Sequence, residues 1–278
     1  MIDIQNQTDT RDVPLKKVGV RGLKYPVQVL DKRRKTQTTS AVADLFVDLP
    51  HHFKGTHMSR FIEIFHAYHT DVSMKRFLAM LNEIRCKLDA ECAFGTLTFP
   101  FFIEKNAPVS GQPGMMSYEC TYEGSVSGTG SSFFVSVAVP VTTVCPCSKA
   151  ISDRGAHNQR GVVRVKLQSS AFFWIEDVIA LVEAAASSGL YSILKRSDEK
   201  FVTEAAYDNP RFVEDVVREV YIALRNFRVG DSRDANAPLS ETAGRKTGTA
   251  AFRWFSVEAE NFESIHNHNA YAYTEFDG

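Results

Sequence analysis

Residues 133–167 read FFVSVAVPVTTVCPCSKAISDRGAHNQRGVVRVKL. The stretch opens as an apolar, β-branched run over 133–141, and after an island of small, polar and reactive residues it resumes as strict alternation. Val162, Arg164 and Lys166 face one way, and Val163, Val165 and Leu167 the other, which is the period-2 signature of a half-buried strand over 161–167. Two strands flanking a reactive turn imply an antiparallel sheet that presents chemistry at one end of a strand pair.

Upstream, residues 18–30 and 38–49 read as two strands joined by a basic turn at 31–35, with Pro26 marking an edge or irregular position because it cannot donate to a ladder. Residues 58–69 and 73–88 read as helices, the second carrying Phe77, Leu78, Leu81, Ile84 and Leu88 on one face. Strand character returns at 97–104 and 116–126, so the first half spells ββααββ. Downstream, helices over 174–187 and 211–227 and a strand over 250–258 repeat that grammar without residue-level identity. In the second helix Phe212, Val213, Val216, Val217, Val220 and Leu224 form the expected core face. The expected organisation is a flexible tail at 1–15, one module at 16–130 and a second at 131–278, the latter interrupted by a mobile loop at 228–248 that is rich in Gly, Ser, Asp, Asn and Thr.

Composition narrows the function. A chain of 278 residues with 44% hydrophobic and 23% charged residues can bury a substantial core. No apolar run approaches the roughly 20 residues that a membrane-spanning helix needs, and the polar start MIDIQNQTDTRD lacks the apolar core of a secretory signal, so the cytoplasm is the expected compartment. A net charge of -1 gives no field suited to nucleic acid, and the basic stretch 16–35 reads as a solvated hairpin. Five cysteines, Cys86, Cys92, Cys120, Cys145 and Cys147, do not form a secreted disulfide framework, and Cys86 and Cys92 read as small apolar packing groups.

The chemistry gathers in residues 141–160, where Cys145, Cys147 and His157 stand together. Thiolate and imidazole suit zinc and related cations, and Pro146 stiffens the turn that presents them. A structural zinc site needs four closed ligands, and no second cysteine pair is present to supply them, which favours an open, catalytic site. Two other readings stand beside it: a nucleophilic Cys–His pair, and ordinary thiols at a strand end with a loop histidine. A second cluster, Glu263, His266 and His268, suits proton transfer near neutral pH, or forms a polar C-terminal surface. Of the helical carboxylates Asp198, Glu199, Glu204, Glu214 and Asp215, most read as solvated faces. Glu214 stands out because it follows Phe212 and Val213 on the side expected to be buried.

The string VCPCSKAISDRGAHNQRG, with THMSRF at 56–61, YDNPRFVED at 207–215 and NFESIHNHNAYA at 261–272, resembles the GTP cyclohydrolase IB family, four motifs in order across most of the chain. The resemblance implies an α+β tunnelling fold: two fused ββααββ modules whose antiparallel sheets close a barrel on oligomerisation, with helices outside. It also implies a homotetramer with sites at subunit interfaces, and conversion of GTP and water to 7,8-dihydroneopterin triphosphate and formate, the entry to tetrahydrofolate and pterin-type modified nucleosides. By the same resemblance Cys145, His157 and Glu199 match the ligands of one divalent metal, zinc, manganese or iron, with Cys147 beside it. Glu214 matches the carboxylate that anchors guanine, and Glu263 and His266 the pair near the reacting ring. Lys149, Arg160 and Arg60 are the cations expected to meet the triphosphate. A nitrile reductase of the same fold and a non-catalytic metal-stabilised assembly protein are the alternatives.

Overall fold

A computed structural model describes residues 8–169, 171–228 and 250–278. Its strands hydrogen-bond in the order β1 (Leu15–Asp31), β2 (Lys35–Leu49), β3 (Cys92–Asn106), β4 (Pro113–Ser127), β5 (Gly130–Val144), β6 (Asn158–Ser169), β8 (Phe252–Asn261) and β9 (Ala270–Asp277), while β7 (Ser188–Gly189) pairs with β5. The pairings β1–β2, β2–β3, β5–β7, β6–β8 and β8–β9 are all antiparallel. The helices are α1 (Met58–Tyr68), α2 (Met74–Lys87), α3 (Pro146–Ile151), α4 (Ile175–Ala185), α5 (Arg196–Asp208) and α6 (Val213–Arg225). None of the described helices is long and apolar enough to cross a membrane.

By contact the chain divides into two compact units. One comprises the residues up to Pro100 with Cys120–Val135, the other Phe101–Glu119 with the described residues from Ser136 onward. In the first, alternation along β2 buries Ala41, Ala43, Leu45 and Val47, and Phe61 and Phe65 of α1 and Phe77 and Leu81 of α2 are buried as well. Phe77, Tyr122 and Phe133 meet edge to face or tilted, at centroid separations of 5.3–6.4 Å. Pro26 pairs with Ser40 on β1, which ends the sheet, so its missing N–H leaves no interior ladder short of a donor.

In the second unit, α6 buries Val213, Val216, Val217, Val220 and Leu224, while Phe255 and Val257 of β8 and Val163, Val165 and Leu167 of β6 are likewise buried. Two expectations fail. Phe212 is the N-cap of α6 and is 39% exposed rather than part of its core face. The other failure lies in the first unit: Cys86 is exposed and Cys92 half-buried, so neither is a core thiol, and none of the five cysteines is in a disulfide. The loop expected at 228–248 lies, but for Arg228, outside the described residues, as do the first seven residues of the tail.

A candidate metal and nucleotide site

Strand β5 ends in Thr143 and Val144, and the chain enters α3 with Cys145 as its N-cap and Pro146 at the first helical position, where a missing N–H costs nothing. The amide of Ser148 donates to Cys145 Sγ at 3.5 Å and the amide of Lys149 to Cys145 O at 3.1 Å. Six residues suffice for this helix, which the sequence reading took for a turn. The return is made at Gly155, whose φ of +127° is one that side-chain-bearing residues rarely adopt. The segment then closes on itself. Cys145 N donates to His157 O at 3.1 Å, His157 N donates to Ser148 Oγ at 3.2 Å, and that hydroxyl donates to Cys145 O at 3.1 Å. Cys145 and His157, twelve positions apart, are thereby held side by side.

The His157 imidazole is oriented from behind. Its Nδ1 lies 3.0 Å from Gln159 Oε1, an oxygen able to accept from an Nδ1–H and so to leave the Nε2 lone pair for a ligand. Gln159 Nε2 donates in turn to Thr143 Oγ1 at 2.9 Å, and both Gln159 and Thr143 are buried. The half-buried Cys145, its backbone bonded to that of His157, and the His157 imidazole offer the thiolate and nitrogen donors that a borderline-soft divalent cation takes.

The C-terminal cluster comes to the same place. Phe262 N donates to Arg160 O at 2.9 Å, and Gly161 leaves room for Asn261, since a Cβ there would meet Asn261 Oδ1 at 2.5 Å. The chain that follows carries Glu263, half-buried, and His266, whose ring stands perpendicular to that of His157 at 6.5 Å between centroids. His268 stacks on His266 at 5.2 Å. Arg160 and Cys147 are exposed on this segment, and the Lys149 ammonium bonds Tyr207 O while lying 4.2 Å from the Tyr207 ring centroid.

Other expected residues lie elsewhere. Glu199 is exposed on the first turn of α5, and among the described residues no three His, Cys, Asp or Glu side chains gather as a metal cage. Its neighbour Asp198 is fully buried and accepts from Val109 N, Ser110 N, Ser110 Oγ and Lys195 N at 2.7–2.8 Å. Burial alone would raise that carboxyl, but the Ser110, Lys195 and Val109 hydrogen bonds overcome it and hold Asp198 well below the usual carboxylate range. Glu214, expected on the buried side of α6, is exposed in its first turn: the buried face runs through Val213 and Val217, and Glu214 is turned about 100° from Val213. Arg60 belongs to the first unit, where it donates to Lys87 O at 3.1 Å. The reading of residue types missed Ser148, Gln159 and Thr143; the one available signal was Gln159, a polar residue two positions after His157 on the apolar face of a strand.

The family model for type I GTP cyclohydrolase folE2 matches residues 1–272. A GTP cyclohydrolase FolE2 of Syntrophus aciditrophicus (strain SB) is 52% identical over 275 residues, covering 99% of each chain. One of Geobacter sulfurreducens (strain ATCC 51573 / DSM 12127 / PCA) is 49% identical over 277 residues, covering 100% of this chain and 98% of that one. Among solved structures, the uricase of Arthrobacter globiformis superposes with a TM-score of 0.50 over 95% of this chain and 93% of that one at 7% identity. That likeness concerns the fold alone, the α+β tunnelling fold.

Proposed function

The chain belongs to the type I GTP cyclohydrolase FolE2 family, and from that premise we propose that the segment closed between Cys145 and His157 holds one divalent metal against the guanine ring of GTP. It is an enzyme acting on GTP, a type IB GTP cyclohydrolase, the activity that yields 7,8-dihydroneopterin triphosphate and formate. When bound, the metal supplies a Lewis acid that makes water nucleophilic toward C8 at neutral pH. A thiolate, an imidazole and a carboxylate admit zinc, manganese or iron; Cys145 and His157 supply the first two, and Glu199, which does not gather with them among the described side chains, is proposed as the third.

The remaining roles fall to this chain's own groups. His266, upright against His157, delivers protons to the ring nitrogens as formate leaves, and Glu263 orients it. Glu214, exposed and acceptor-only, takes the two N–H donors of the guanine edge. Cys147, exposed one residue beyond Pro146, attends the metal. Lys149, released from Tyr207, and Arg160 meet the triphosphate, and the same role is proposed for Arg60. Ile151, Phe212, Phe262 and Ile265, which belong to these sequence motifs, are exposed at 85%, 39%, 43% and 64% and support burial of this surface between subunits, for which we propose a homotetramer. We assign two fused modules, 16–130 and 131–278, and the cytoplasm as the place of action.

The observation that carries this reading is the His157 ring held at Nδ1 beside Cys145. The experiment is metal analysis and GTP turnover on Cys145→Ala and His157→Ala. Both should lose metal and activity together; variants that keep a full complement of metal would refute the ligand assignment.

A further inference from the structure

We propose that Gln159 is a positioning residue that fixes the tautomer of His157 and, through it, the affinity of the metal site, an inference that rests on His157 being a ligand. The geometry is a three-member chain: His157 Nδ1–H to Gln159 Oε1 at 3.0 Å, and Gln159 Nε2–H to Thr143 Oγ1 at 2.9 Å. Each link constrains the next. Thr143 is 0% exposed and Gln159 6%, so neither can exchange its partner for water, and an unpaired amide there would carry the desolvation cost of a buried polar group. A hydroxyl can serve either end of an amide, so the proposal rests on the orientation seen here, Nε2 toward Thr143 and Oε1 toward His157. An oxygen accepts only, so the proton must sit on Nδ1 and the lone pair on Nε2.

An imidazole free in solution divides itself between two tautomers and many ring orientations; a clamped one meets the metal with both already chosen. The backbone enforces the same pairing. Gln159 lies on β6 with its side chain on the buried face, two positions from His157, and Thr142 Oγ1 donates to Gln159 O at 3.2 Å, tying the strand to β5 at that level. A carboxylate could also accept from Nδ1, but at this depth it would bring an uncompensated charge. The neutral amide orients the ring without one.

Two measurements test this. In metal-free wild-type protein labelled with 15N-histidine, at alkaline pH, the His157 resonances (assigned by their loss in His157→Ala) should report the Nδ1–H tautomer; an Nε2–H tautomer would overturn the proposal without any Gln159 variant having to fold. The second is zinc affinity, measured by competition with a chromophoric chelator. Gln159→Leu should lose roughly 10–100-fold, the usual effect of removing a group that orients a ligand, whereas Gln159→Glu, which keeps an acceptor at that position, should stay within about threefold of wild type or bind more tightly. Equal affinity in Gln159→Leu and wild type, or equal losses in the Leu and Glu variants, would overturn the positioning role. If His157→Ala itself binds zinc as wild type does, the ligand assignment has failed instead, and the tautomer measurement still reports on Gln159.

Discussion

Replacing Lys105 with Met should destabilise the second unit more than any surface substitution, because it strands a buried carboxylate. Lys105 and Glu183 are 4% and 9% exposed, and their ion pair measures 2.7 Å. The ammonium also donates to Leu190 O at 2.9 Å and lies 4.2 Å from the Tyr191 ring centroid, and Glu183 accepts a second bond from Tyr118 Oη at 2.9 Å. Burial, and then the charge of Glu183, push the Tyr118 phenol well above its ordinary value, so it remains a neutral donor that cannot replace the lost cation. Removing one member of a buried pair costs about 3–5 kcal/mol, most of it the penalty on the charge left behind. At about 1.4 kcal/mol per decade that is roughly a 10²- to 10⁴-fold loss in the folding equilibrium. Urea unfolding at fixed protein concentration, followed by fluorescence, measures it. Lys105→Met/Glu183→Gln, with no charge left to strand, should recover all but about 1–2 kcal/mol. The pair also holds the 188–190 segment, whose Ser188 and Gly189 face Thr142 and Val141, three and four residues before Cys145. GTP turnover in the single variant should therefore fail at lower urea than the fluorescence transition. A cost below about 1 kcal/mol, or strictly additive single effects, would refute the reasoning.

Two further outcomes follow from the carboxylates. Glu214→Gln exchanges an acceptor for a group that presents a donor to guanine, so KM for GTP should rise at least tenfold with metal content unchanged; an unaltered KM would remove Glu214 from the substrate site. Asp198→Asn should destabilise the protein at neutral pH, since the amide sets a donor against the N–H of Lys195 or Ser110. A folded carboxyl held below its unfolded value contributes stability above about pH 4 that is lost as pH falls through the folded value, so the gap between wild type and variant should narrow in acid. A gap that is constant or widens in acid would contradict that sign.

Much of the fold could be read from periodicity because one face of each long element is buried. The β1–β2 hairpin, α1 and α2 emerged within three residues of their ends. What escaped notice lacked a buried face or sufficient length. Along β9 the pattern AYAYTEFD alternates between half-buried and exposed, so no hydrophobic period appears, and β7 is two residues long. In α3 the proline after Cys145 reads as a turn until the helix it begins is seen. The site divides the same way. Cys145, His157 and His266 were legible as residue types, and their association in space rests on backbone bonds such as Phe262 N to Arg160 O that no spacing rule announces. The expected burial of Glu214 fails because adjacency to Val213 is not a shared helix face: one position along a helix turns the side chain by about 100°.

The most direct test of the central claim is to incubate the reduced protein, supplied in turn with zinc, manganese or iron, with GTP, and to measure formate alongside pterin absorbance and fluorescence. The account predicts formate and a dihydropterin triphosphate in equal amounts, abolished in His157→Ala; no product with any of the three metals, or formate released without a pterin, would contradict it.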